Sequence, residues 1–341
     1  PTDLVLVQPP EVTIATGTSA WLAPRQPDHH FHVRRDNAAD FARLGRLTTR
    51  AGVGLALGGG GSRGVAHLGV HRALEQAAVP VDIYTGTSVG ALVGAALASG
   101  LDHAQALTLA RDLLGSRAAH LASIGPPFVS VMSGHAMNRV LRRALGDLQI
   151  EDFLVPFRAV SVDLSRGRSH VMQRGDVAVA VRASTSLPGV WPPVHRADGL
   201  FVDGGVLNNL PADSLTELCR DGAIIASDVS GNAASVDYLE YANAISGWGI
   251  FLRLLLTPFW RLPRYPYLLP LMERCIILGS LQQKEDVVAR HVDVYIRPPV
   301  GHLGMFDVRS PGTITAVESE AFDLAQETLD GWDWRAARTR G

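Results

Sequence analysis

Lysine is nearly absent from this chain: Lys and Arg together number 31, and Lys284 is the only lysine. The bias toward arginine reads as genome composition, and it leaves no lysine for a P-loop or a Schiff base. Cysteine is scarce too. Cys219 and Cys275 make neither a disulfide framework nor a zinc signature, which fits a reducing compartment. The net charge is only −2, so no bulk attraction to nucleic acid is implied and none is expected as a partner. There is no internal repeat, no low-complexity tract and no continuous apolar run of the ~20 residues that a spanning helix needs. No signal-peptide pattern precedes the first strand.

Glycine, in contrast, is concentrated where it is informative. Gly86-Thr87-Ser88-Val89-Gly90 fits G-x-S-x-G, the nucleophile elbow. The apolar stretch Val81–Thr85 before it reads as a buried strand, and Ala91–Ala98 after it as a helix of small residues. A serine at such a turn is strained, so the residues two before and two after it must be small. Its hydroxyl then stands at the positive end of the following helix. Upstream, Gly58-Gly59-Gly60-Gly61-Ser62-Arg63-Gly64 lies between a strand (Val53–Leu57) and a helix, where successive N–H groups form an anion-binding nest. Downstream, Asp203-Gly204-Gly205 follows the short strand Leu200–Val202, where a glycine-flanked aspartate can lie close against another backbone. A rival reading takes Gly59-x-Gly61-x-x-Gly64 as a nucleotide fingerprint with Asp82 as the ribose-binding acid. It leaves the elbow and the Asp203 turn unexplained.

In order and spacing, these three blocks resemble the patatin-like phospholipase family over roughly residues 53–215. The flanks His30–Arg34, Ala42–Leu47, Arg297-Pro298-Pro299 and Gly304–Asp307 are similar to its neuropathy target esterase branch. The resemblance implies a three-layer α/β/α fold with a mainly parallel central sheet and an apolar helical cap. It implies a serine lipid acyl hydrolase of lysophospholipase or phospholipase type that needs no cofactor or metal. Ser88 would be the nucleophile and Asp203 its base, a dyad in place of a Ser–His–Asp triad. His67 and His195 are the histidines open to a third role. The N–H groups of Gly59, Gly60 and Gly61 would form the oxyanion hole. Arg63 matches the basic position of the family loop, and Gly58, Gly64, Gly86, Gly90, Gly204 and Gly205 would support these turns. Three alternatives share the motif: a non-catalytic lipid-binding module, an acyltransferase and a triacylglycerol lipase.

Residues 1–50 read as a lead-in of one strand, a proline-containing loop and a helix from about Asn37 to Leu47. His29, His30 and His32 fall in that loop and are expected to pack rather than bind metal. From Val53 strands and helices alternate, as in a parallel sheet covered on both faces. Residues 51–215 form the expected core, and 216–341 its C-terminal part. Within the latter, about 242–272 is basic, aromatic and free of acidic residues, with Trp248, Phe251, Phe259 and Trp260 as the expected membrane or substrate interface. The expected location is cytoplasmic with peripheral membrane contact. The opening strand at Asp3–Val7 reads as already under way, so an upstream anchor or a cyclic-nucleotide-binding-like module, which the resemblance implies, is expected outside this chain.

Overall fold

The structure is a computed structural model that describes residues 2–115, 124–125, 128–231, 246–256, 268–305, 307 and 310–335. In chain order it runs β1 (Asp3–Gln8), α1 (Thr18–Arg25), β2 (His29–Arg34), α2 (Ala38–Thr48), β3 (Val53–Leu57), α3 (Ala66–Gln76), β4 (Ile83–Thr87), α4 (Val89–Ala98) and α5 (His103–Gly115). Then come α6 (His135–Leu145), β5 (Phe157–Asp163), β6 (Arg168–Met172), α7 (Val177–Ser184), β7 (Val194–Arg196), β8 (Gly199–Asp203), α8 (Thr216–Cys219) and β9 (Ala223–Ser227). The described chain closes with α9 (Gly247–Leu256), α10 (Leu268–His291), β10 (Val294–Ile296) and α11 (Pro311–Leu329).

β3, β4, β5 and β9 are buried along their whole length, as strands covered on both faces must be. They form the parallel centre of an eight-stranded sheet ordered β10-β9-β3-β4-β5-β8-β7, with β6 also paired to β5. Val53, Leu55 and Leu57 turn one way, into a core with α3, α4 and α11. Ala56, Ile224 and Ala226 turn the other way, against Leu210, Leu215 and Leu218. On that second face Gly54 lacks a side chain where a Cβ would sit 2.8 Å from Leu215. The chain therefore forms a three-layer α/β/α fold around a mainly parallel sheet.

The topology of β5 places the site. Its residues Phe157–Val160 pair with β4, and its residues Ser161–Asp163 pair with β8. β6 pairs with Ala159–Asp163 and so occupies the opposite edge. β4 and β8 consequently share one edge, end to end. β4 runs parallel to β5 and leaves after Thr87 opposite Val160, and antiparallel β8 takes over with Asp203 opposite Ser161. The last residues of two strands distant in sequence therefore meet.

The lead-in differs from its reading. His29–Arg34 is a strand paired in parallel with β1, not a loop, and Thr18–Arg25 is a helix that contains Pro24. β2 escapes a period-two pattern because its polar histidines are buried. The Nε2–H of His30 and of His32 both reach the carbonyl oxygen of Glu151, at 3.0 and 2.9 Å, which pins the lead-in to the core. Burial lowers the His30 pKa to about 4, so the ring is neutral. The segment after the Asp203 turn forms a 3-10 turn (Ala212–Leu215) followed by α8.

Asp82, the proposed ribose acid of the rival reading, is structural. Its oxygens accept from Arg46 Nε and Nη2 at 2.8 and 2.7 Å and from the Val53 N–H at 2.9 Å. The Asp82→Ala variant, which unpairs Arg46 and the first amide of β3, should lose about 3 kcal/mol in urea denaturation.

Candidate active site

Ser88 occupies the turn between β4 and α4 with φ 56° and ψ −125°, a backbone conformation that L-residues rarely adopt. The glycines beside it are sterically required. A Cβ on Gly86 would run into the backbone of Gly90, and one on Gly90 into the carbonyl of Leu57. The strain is held by a residue the sequence reading missed. The Ser88 N–H donates to Ser184 Oγ at 2.9 Å, and the Ser184 hydroxyl donates to the Val160 carbonyl at 2.5 Å. One serine at the end of α7 thus ties the elbow to β5. A lone serine in a last helical turn gives no sequence signal of that role.

Asp203 ends β8 and is 3% exposed. Its N–H donates to the Ser186 carbonyl at 3.0 Å, and its Oδ1 accepts the Gly205 N–H at 2.8 Å. Burial raises its pKa to about 6, opposed by the Gly205 N–H and by the Ser88 hydroxyl, which lies within its reach. A Cβ on Gly204 would strike the Val160 carbonyl, so this turn also needs glycine. A half-buried hydroxyl beside a desolvated, basic carboxylate can pass its proton to that carboxylate.

The glycine loop lies alongside. Ser88, Asp203, Gly59, Gly60, Arg63, Gly205, Asn209, Ser230, Gly231, Leu187, Ser280 and Met305 line one cleft of about 380 Å³. The loop narrows the expected set of amides. The Gly58 N–H donates to the Ser227 carbonyl at 2.9 Å, and the Gly59 N–H donates to the Asn209 carbonyl at 3.0 Å. Gly59 is therefore not available as an oxyanion donor, whereas the N–H groups of Gly60 and Gly61 have no hydrogen-bond acceptor among the described residues. Asn209 holds Gly59 from the other side as well, its Nδ2 donating to the Gly59 carbonyl at 3.1 Å. Arg63 is buried and its Nε donates to the Gly60 carbonyl at 2.9 Å. Gly64 makes room for Val89 at the start of α4.

Neither histidine reaches the Ser88–Asp203 pair. His67 is fully buried, with Nε2–H donating to the Gly58 carbonyl and Nδ1 accepting from Ser227 Oγ, both at 2.8 Å. Burial lowers its pKa to about 4, so it acts as a neutral brace for the loop. His195 lies exposed on β7 and does not line the cleft. Among the described residues, no three His, Cys, Asp or Glu side chains converge as a metal site. Of the expected interface residues, Trp248 is 78% exposed on α9. The Phe251 side chain, Phe259 and Trp260 lie outside the described residues.

Fold and site together define an α/β protein built around a serine elbow faced by a buried aspartate. The chain belongs to the patatin-like phospholipase family, whose model matches residues 55–216. It is 33% identical over 307 residues to patatin-like phospholipase domain-containing protein 6 of Homo sapiens, covering 89% of this chain and 22% of that protein. Lysophospholipase nte1 of Aspergillus fumigatus is 36% identical over 272 residues, covering 79% of this chain and 18% of that one. Neuropathy target esterase sws of Drosophila melanogaster is 35% identical over 289 residues, covering 81% and 20%. The chain spans about a fifth of the length of these relatives.

Two predictions follow from the site itself. Ser184→Ala leaves the Val160 carbonyl and the Ser88 N–H without their partner and should destabilise the fold by about 1–3 kcal/mol in a denaturant titration. Asp203 has the opposite sign. Its folded pKa of about 6 lies above the ordinary carboxylate value of 3.8, so its burial is harmless below the lower value and fully destabilising above the higher. Asp203→Asn should therefore raise stability at pH 8 by up to about 3 kcal/mol and leave it nearly unchanged at pH 3.5.

Proposed function

We propose that this chain is a serine carboxylic-ester hydrolase of lysophospholipase or phospholipase type that releases fatty acid. The observation that carries the reading is the meeting of the Ser88 elbow with buried Asp203 at one edge of β5. Ser88 Oγ attacks the ester carbonyl while its proton passes to Asp203. The N–H groups of Gly60 and Gly61 receive the negative charge that develops on the carbonyl oxygen. Collapse of the intermediate expels the alcohol, which takes the proton back from Asp203 and leaves an acyl-enzyme. Water, deprotonated by the same carboxylate, then releases the fatty acid and frees Ser88. A conjugate acid with pKa about 6 suits both halves of this cycle.

The relatives' names support a lysophospholipid substrate, and the cleft suits one. Leu187 and Met305 offer apolar wall, whereas Asn209, Ser230 and Ser280 offer polar wall. We assign peripheral membrane contact to α9. Trp248, Leu252 and Leu256 recur every fourth residue along it and are 78%, 55% and 81% exposed, an unburied apolar stripe of the kind that enters a bilayer interface. Among the described residues, no helix is long and apolar enough to cross a membrane.

Fatty-acid release from lysophosphatidylcholine is the direct test. Ser88→Ala and Asp203→Asn should fold and lose nearly all turnover, and kcat/KM of the parent should fall as pH drops through about 6, where Asp203 gains a proton. Retained turnover in either variant eliminates the pair. Lipid binding without any ester turnover by the parent would make the chain a binding module. Preferential transfer to an added acyl acceptor would make it an acyltransferase, and preference for triacylglycerol would make it a lipase. Replacing Trp248, Leu252 and Leu256 together by serine should weaken sedimentation with liposomes while sparing hydrolysis of a soluble short-chain ester. Equal loss on both would remove the membrane assignment.

A further inference from the structure

We infer that Lys284 is a positioning residue for the amides that receive the oxyanion, acting through Asp228 and Ser230. This inference deepens the hydrolase reading and rests on it. Lys284 lies on α10 with its side chain 8% exposed. Its Nζ donates to Asp228 Oδ2 and to Ser230 Oγ, each at 2.9 Å. Tyr295, from β10, donates its hydroxyl to the same Asp228 oxygen at 2.5 Å. The other oxygen, Oδ1, accepts the Ser230 N–H at 2.9 Å. The Asp228 N–H donates to the Ile296 carbonyl at 2.9 Å. The segment after β9 is thus fixed by its side chains and by its backbone.

That segment is the wall behind the glycine loop. The Val229 carbonyl lies so close to Gly60 that a Cβ there would collide with it. Gly231 abuts the guanidinium of Arg63, whose Nε holds the Gly60 carbonyl. Ser230 and Gly231 line the same cleft as Ser88 and Asp203. The position of the Gly60 amide is therefore set from behind by residues 229–231, and theirs by Lys284. Burial alone would raise the Asp228 pKa, but the Lys284 charge and the Tyr295, Lys284 and Ser230 hydrogen bonds outweigh it and hold the carboxylate below its usual range.

Residue choice points the same way. Arginine serves almost everywhere in this chain, and the single exception is this buried cation. An ammonium is a compact group that can direct separate N–H bonds at a carboxylate and a hydroxyl. A guanidinium is a larger planar fork and cannot make both bonds without displacing the segment. A purely structural ion pair would tolerate replacement of both partners by neutral groups of similar size, whereas a positioning device would not.

The test uses the parent, Lys284→Arg, and Lys284→Met combined with Asp228→Asn, which removes both charges together. Three readouts are needed: melting temperature, kcat and KM on a soluble short-chain ester, and amide hydrogen exchange over residues 58–64. Variants that melt near the parent should show kcat reduced roughly tenfold or more with KM little changed, a partial version of losing an oxyanion donor, and faster exchange at Gly60 and Gly61. Parent-like kcat in a folded variant overturns the inference and leaves the hydrolase reading intact. Parent-like exchange at Gly60 and Gly61 overturns it whatever the rate. If the parent itself has no ester turnover, the hydrolase reading fails on its own, and exchange still decides whether Lys284 sets these amides. Should Lys284→Arg not fold, the double variant carries the comparison.

Discussion

One edge of one strand can hydrogen-bond to only one neighbour at a time, and the candidate site is built on that constraint. β4 occupies the edge of β5 as far as Val160, and β8 occupies it from Ser161 onward. The hand-over leaves no room for β4 to continue. The chain must turn sharply at Ser88, and β8 must deliver Asp203 to the place where the next residue of β4 would have paired. Strain at Ser88 and burial at Asp203 are two consequences of the same junction. Both oppose stability locally, and both are held by bonds to β5 and α7, with the hydroxyl of Ser184 and the carbonyl of Ser186 as the last links.

The glycine loop is rigid for a different reason. Its carbonyls are spoken for by side chains from three directions: His67 on Gly58, Asn209 on Gly59 and Arg63 on Gly60. Its first two amides are used for the same purpose, which leaves those of Gly60 and Gly61 without a backbone acceptor among the described residues. The loop gains fixed dipoles, the kind of group that stabilises charge developing in a site shielded from water. A neutral His67 matters here. A ring protonated on Nε2 alone donates to the Gly58 carbonyl and accepts from the Ser227 hydroxyl, so both bonds are made without burying a charge.

Much of this was legible in the sequence, and what was not has physical reasons. The elbow, the nest and the Asp203 turn announce themselves because each demands glycine where a Cβ would collide, and such demands leave fixed spacings. The buried parallel strands announce themselves by continuous apolar runs. β2 did not, because its histidines find buried acceptors on Glu151 and so look polar while being core. Ser184 and Asp228 did not, because their roles depend on partners at Ser88 and Lys284, 96 and 56 positions away. The oxyanion set was read one glycine too wide: spacing identifies a nest, whereas only the backbone bond from Gly59 to Asn209 shows which amide is already occupied. His67 packs against the loop it follows, its ring fully buried between the Gly58 carbonyl and the Ser227 hydroxyl.

The solitary lysine has a practical consequence outside catalysis. Its ε-amine is the only one that any side chain of this sequence offers, and folding hides it against Asp228 and Ser230. Amine-selective reagents and lysine-specific proteases therefore meet a single side-chain target that the native protein conceals. Modification or cleavage at that position reports the opening of α10 away from the loop after β9, in a molecule that carries its own single-site probe without any engineered label.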